Sequence, residues 1–142
     1  MKSFYPKKGD IRETWYETDA KDQILGRLAT KVASLLRGKE KVTFTSAVNP
    51  MVKVVITNAD KLKVTGSKLH DKKYYRHSGH LGNLKTITLE KLLLKKPTEA
   101  ISRAVAGMLP KNRLGRALMK NLYVYSDGEH PHGGGQPKNI KL

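Results

Sequence analysis

Hydrophobic positions along the chain switch between a period of two and a period near 3.6, and the switches divide it into strands and helices. Residues 15–20 (WYETDA) predict a short strand, and the polar 21–23 leads into a helix over about 25–37. In that helix Leu25, Leu28, Val32, Leu35 and Leu36 share one face, while Arg27, Lys31, Ser34 and Arg37 share the other. Gly38 supplies the stop. Residues 51–59 (MVKVVITNA) are mostly β-branched and too apolar for a strand with one wet face, so they predict a buried parallel strand closed by Asn58-Ala59-Asp60. Residues 61–65 (KLKVT) alternate with period two and end at Gly66, which predicts a further strand at the margin of the sheet with its lysines outward.

Beyond a basic loop, Thr88 is placed to cap a helix through Lys95, with Glu90 in the first turn where the helix dipole favours a carboxylate. Pro97 breaks that helix, and the next, over 98–108, sets Ile101, Ala104, Val105, Met108 and Leu109 in a core-facing stripe that Pro110 ends. Asn112 can cap a further helix whose Leu114, Ala117, Leu118 and Leu122 pack inward while Arg113, Arg116 and Lys120 recur outside. Residues 123–125 predict a short strand, and residues 126–142 are rich in Gly and Pro without period, a tail that cannot hold itself together alone. Strands alternating with helices imply an α/β domain whose mainly parallel sheet is covered on both faces. There is no internal repeat, and the expected organisation is a single domain with its core over about 14–126, an N-terminal extension 1–13 and a C-terminal tail 127–142.

Charge adds what the periodicity cannot. The chain has 142 residues, 28 Lys+Arg against 12 Asp+Glu, and a net charge of +16, a self-repulsion that costs stability unless a polyanion offsets it. The excess is uneven: residues 1–22 are neutral, whereas 61–96 hold ten basic and two acidic groups. The 38% of apolar residues suffices for a core. No cysteine is present, which excludes a disulfide framework, a thiol nucleophile and a cysteine-based zinc site. The N-terminal residues lack the apolar segment of a signal peptide, and no apolar run nears the roughly 20 residues of a membrane span, so a cytosolic chain off the membrane is expected.

Residues 74–85 (YYRHSGHLGNLK) gather aromatics, imidazoles, a guanidinium and hinge glycines. Tyr and His rings can stack on unpaired bases, Arg can fork onto phosphate, and glycine lets the backbone approach RNA. An ordinary glycine loop with Tyr74 or Tyr75 anchored in the core is the plainer alternative, and for a single tyrosine it is the better one. His77 with His80, and His130 with His132, lack the spacing and the carboxylate of a zinc site, so no metal is expected. Ser78 between His77 and His80 does not make a triad, whose members come from distant parts of a chain. A nuclease needs clustered carboxylates for divalent metal, and Glu13, Glu17, Asp19 and Asp22 lie in the neutral N-terminal segment. Neither a Walker A sequence nor Gly-x-Gly-x-x-Gly occurs, and no cofactor is expected. The strongest physical signal is the pair of helices with cationic stripes, since cations on ordered faces displace counterions from an RNA backbone together. Their arginines can bind phosphate in bidentate fashion, and the lysines act as point charges.

Five ordered motifs carry a resemblance over essentially the whole chain: WYETDAKDQILGRLATKVASLLRGK, ITNADKLKVTGSK, YYRHSGHLGNLK, GMLPKNRLGR and YVYSDGEHPH. With them the chain resembles the bacterial-type large-subunit ribosomal protein L-thirteen family. The resemblance implies a three-layer α/β/α domain around a four-stranded, mainly parallel sheet, with an extended basic loop and C-terminal tail. It further implies binding to 23S-type large-subunit rRNA, early entry into subunit assembly, neighbouring large-subunit proteins as partners, and a place in the cytoplasmic large subunit. No catalysis, small-molecule substrate or homo-oligomer is implied. A free regulatory protein acting on messenger RNA is the alternative.

Motif match and charge together place the rRNA-facing residues in four groups. The first is Arg27, Lys31, Arg37, Lys39 and Lys41; the second begins with Lys68, Lys72 and Lys73 and continues through Tyr74, Tyr75, Arg76, His77, Ser78, Gly79, His80, Gly82 and Lys85. The third is Lys111, Asn112, Arg113, Gly115, Arg116 and Lys120, and the last is His130, His132 and Gln136. The chain departs from the family pattern at 45–52 (TSAVNPMV), at Asn83 and at Gly133-Gly134-Gly135, where a glycine run should make the tail costlier to order on RNA.

Overall fold

In the computed structural model, which describes residues 5–140, the buried strand of the sequence is the hub of the molecule. This strand, β2 (Val52–Thr57), pairs in parallel on one side with β1 (Thr14–Asp19), from Thr14 opposite Val52 to Asp19 opposite Thr57. On its other side lies β5 (Leu122–Val124), again parallel, with Val54 opposite Leu122 and Ile56 opposite Val124. Val52, Val54, Val55 and Ile56 are all buried, as expected of an interior parallel strand with no wet face.

The predicted helix is α1 (Leu25–Leu36), and all five residues of its apolar stripe are buried. Gly38 turns the chain away with φ +71, while its N–H donates to the Leu35 carbonyl. Pro50 packs so closely there that a Cβ on Gly38 would stand 2.5 Å from it. The unusual 45–52 segment is thereby anchored against the end of α1. Three more helices join this core: α3 (Leu89–Lys95), α4 (Pro97–Met108, with its proline at the first turn) and α5 (Arg113–Met119). Leu89, Leu92, Ala100, Ile101, Val105 and Leu118 meet Leu28, Val32, Leu36, Val54 and Ile56 in one cluster. Fully burying each of these larger aliphatic side chains contributes about 1.5–3 kcal/mol against the entropy of ordering the chain.

The fourth strand of the sheet differs from expectation. Residues 61–65 form no strand; only an isolated parallel bridge joins Lys63 to Ile24. Their alternation is nonetheless real in burial, with Leu62 and Val64 half-buried and Lys61, Lys63 and Thr65 exposed. The edge beside β1 is taken by β6 (Lys138–Asn139), which sets Lys138 opposite Tyr16 and Asn139 opposite Glu17, giving the order β5-β2-β1-β6. The tail is therefore part of the fold. A short 3-10 turn, Pro131–Gly135, lies on the sheet face that carries Trp15 and Tyr123, and the His132 ring sits 5.2 Å from Trp15 and 4.4 Å from Tyr123, centre to centre. A Cβ on Gly135 would come within 2.7 Å of the indole, so glycine lets the tail rest on Trp15. Helices pack over one face and this turn covers the other, an α/β architecture consistent with a three-layer α/β/α domain.

Other expectations are corrected as well. The basic loop contains a short helix, α2 (Lys68–Asp71), and an antiparallel hairpin of β3 (Lys73–His77) and β4 (Leu84–Thr88). Thr88 precedes α3 in cap position, yet its hydroxyl makes no cap bond and is buried without a partner among the described residues. Met108, expected in the core stripe, is 41% exposed because α4 ends there, and Leu122 belongs to β5 rather than to α5.

Candidate nucleic-acid interface

The hairpin has no sequence of its own that could make it stable in isolation. It is held at its base, where Tyr74 and Ile87, opposite one another, pack against the core and Leu89 N–H donates to the Lys72 carbonyl. Lys72 and Arg103 both lie near the Tyr74 ring, at 5.4 and 5.2 Å from its centre. Tyr74 is thus the core anchor and Tyr75, 61% exposed, is the free ring. Farther out Arg76 stands directly opposite Lys85. Like charges at paired positions destabilise a ribbon. Their presence there is accounted for when an anion lies between or beside them. His77, Ser78, Gly79, His80, Gly82 and Lys73 are all exposed on this arm, and the turn over 78–83 is shaped by Gly79 at φ +91 and Gly82 at φ +72.

The second cationic face is built by one capped turn. Pro110 ends α4, and Asn112 Oδ1 accepts from Gly115 N–H at 2.8 Å to start α5. That fixes the axis from which Lys111, Arg113, Arg116 and Lys120 project into solvent. Gly115, placed among the RNA-facing residues by motif, is instead buried against Pro110. The third face lies on α1, where Arg27 and Lys31 are exposed beside Lys39, with Arg37 half-buried.

Ion pairs show which cations are available. Lys53 pairs with Glu13 at 2.7 Å, Lys63 with Asp22 at 2.8 Å and Arg103 with Glu99 at 2.6 Å. The first two pairs hold the Glu13 and Asp22 carboxyls below their usual values, chiefly through the lysine hydrogen bonds. Among the described residues, Arg27, Lys31, Lys39, Lys73, Arg76, Lys85, Lys111, Arg113, Arg116 and Lys120 have no carboxylate within 4.0 Å. Lys41 differs from them: its ammonium donates to the Pro50 carbonyl at 2.9 Å and the Arg12 carbonyl at 3.1 Å, and burial lowers its pKa. Its structural part is to tie the 45–52 segment to the N-terminal region.

The tail histidines also turn inward. His130 Nε2 lies 3.3 Å from Glu17 Oε1, and His132 Nε2 is 2.7 Å from the Tyr125 hydroxyl. Gln136, in the left-handed region at φ 46, stays exposed. Among the described residues no group of three or more His, Asp or Glu side chains gathers as a metal site, and no helix is long and apolar enough to cross a membrane. Arg103 beside Tyr74 was invisible in the sequence, since nothing local links α4 to β3.

Comparison with known proteins places the chain in a family. The family model described as Ribosomal protein L13 matches residues 13–131. The chain belongs to the ribosomal protein L13 family. A large ribosomal subunit protein uL13 from Maridesulfovibrio salexigens is 52% identical over 142 residues, covering 100% of both chains. The proteins of the same name from Citrifermentans bemidjiense and Alkalilimnicola ehrlichii are 49% and 48% identical, each again over 100% of both chains. The L13 match contains all three cationic faces, whereas β6 and Gln136 lie beyond residue 131 and are spanned by the relatives alone.

Proposed function

We propose that this protein is a non-enzymatic constituent of the cytoplasmic large ribosomal subunit, binding 23S-type rRNA and entering early in subunit assembly beside other large-subunit proteins. The observation that carries this reading is the set of ordered cations on α1, the hairpin and α5 that have no carboxylate partner among the described residues, in a chain of net charge +16. The rigid α/β core fixes the three faces, so the entropy of arranging them is met in folding and not again on binding. Arg27, Arg76, Arg113 and Arg116 orient phosphates by bidentate contact, and the lysines add charge neutralisation. Tyr75, His77 and His80 offer rings to unpaired bases. A regulatory role on messenger RNA has no observation in its favour.

Arg113→Ala combined with Arg116→Ala tests the α5 face. Both side chains are exposed, so the double variant should keep its unfolding midpoint. Its affinity for a large-subunit rRNA fragment should fall, and the slope of log K against log salt should flatten by about one to two units. Unchanged binding in a filter assay across salt would remove this helix from the interface.

A further inference from the structure

Between α1, α4 and the segment leading into the hairpin the surface opens into a cleft of about 510 Å³. Its floor is apolar, from Leu25, Val64, Leu89 and Ala104, with the thioether of the half-exposed Met108 at one side. Its rim is cationic, from Lys68, Lys72 and Arg103, and among the described residues no carboxylate lines it. Arg103 is held by Glu99, whereas Lys68 and Lys72, the latter beside the Tyr74 ring, have no carboxylate within 4.0 Å among the described residues and are the charges open to a ligand.

Two glycines make the cleft wide. Gly26 lies in the first turn of α1 and Gly107 in the last turn of α4, both line the cleft, and a Cβ on either would meet nothing within 4 Å. Neither has a positive φ, so neither backbone calls for glycine. A helical glycine costs roughly 0.5–1 kcal/mol relative to alanine, and here no packing or strain offsets that cost. What these glycines preserve is open space over an apolar floor.

We propose that this cleft receives an unpaired nucleobase of the bound rRNA, with the phosphates flanking that base on Lys68 and Lys72. This rests on the rRNA-binding reading above and adds a site to it. An apolar floor with a polarisable sulfur suits the face of an aromatic ring, a cationic rim without carboxylates suits its phosphates, and RNA is read in sequence where bases are splayed from the stack. An apolar protein segment would use the floor and leave the lysines unexplained.

The test uses the full chain, labelled with ¹⁵N and titrated with AMP, UMP and, as the control lacking a base, ribose 5-phosphate. The nucleotides should move the amide signals of Gly26 and Gly107, while ribose 5-phosphate should move only those around Lys68 and Lys72. Gly107→Leu fills the cleft with a better helix former and should keep or raise the unfolding midpoint. It should abolish the nucleotide shifts and weaken binding to large-subunit rRNA about tenfold, equivalent to about 1.4 kcal/mol. Silent Gly26 and Gly107 signals, equal shifts with ribose 5-phosphate, or full rRNA affinity in a folded Gly107→Leu would each overturn the cleft assignment. In those cases rRNA binding by the unaltered chain leaves the functional reading standing, whereas loss of all rRNA preference in that chain would strike the functional reading itself.

Discussion

Lys73→Ala, Arg76→Ala and Lys85→Ala together are expected to weaken binding to large-subunit rRNA about a hundredfold at physiological salt and to lower the salt slope by about two to three units. All three side chains are exposed on the hairpin, and none has a carboxylate within 4.0 Å among the described residues. The sign of the stability change separates this from a folding defect. Arg76 and Lys85 stand opposite one another, so removing both charges relieves cross-strand repulsion and should leave the hairpin as stable or more so. Tyr74, Ile87 and the Leu89-to-Lys72 backbone bond, which hold the hairpin to the core, are untouched. Binding by titration and unfolding by calorimetry on the same variant check both halves. A variant that binds as tightly as the original would mean the hairpin points away from RNA.

The second large effect concerns folding. Gly115→Ala should lower the thermal midpoint by about 10 °C, corresponding to about 3 kcal/mol for a domain of this size. Alanine normally gains up to about 1 kcal/mol over glycine inside a helix. Here the new Cβ would overlap the Pro110 carbonyl oxygen and lie 2.9 Å from its carbon, and those are backbone atoms that no rotamer change can clear. The Asn112 cap sets this tight approach, because its Oδ1 accepts from the Gly115 N–H itself. Overlap therefore outweighs propensity, and α5 must shift with its arginines. Gly107→Ala, which meets nothing within 4 Å, is the matched control and should keep or raise the midpoint. Equal midpoints for Gly115→Ala and the parent would show that the Pro110 turn yields at little cost.

Where periodicity is long, the chain announces its structure. The α1 stripe from Leu25 to Leu36, the buried run of β2 and the Asn112 cap can be read directly, because each involves a repeated spacing or a short-range bond. The fourth strand cannot. Lys138–Asn139 is two residues long and carries no period, while 61–65 shows the alternation of a strand although its neighbours offer only one bridge. Pairing is decided by which segment reaches the free edge of β1, a long-range matter. The hairpin was likewise hidden, since its strands are joined by six residues rather than a two-residue turn with a recognisable signature.

The candidate interface divides along the same line. Exposed cations at helical spacing on α1 and α5 were legible as faces. Which cations already have partners was not, and it moves Lys41 onto the Pro50 and Arg12 carbonyls. His130 and His132, attractive as RNA contacts in a structureless tail, are engaged with Glu17 and Tyr125 once the tail lies over Trp15. Gly115 carries the opposite lesson: a residue within a basic motif is there to let two backbones meet.

Ordered cationic faces of this kind should recognise large-subunit rRNA rather than any polyanion. The most direct test measures binding of the whole chain to large-subunit rRNA across a salt series, with an unrelated duplex RNA of equal length as competitor. The predicted result is a preference for the rRNA that survives at about 0.15 M salt, where the screening length is near 8 Å. Equal affinity for both RNAs, falling together as salt rises, would contradict it.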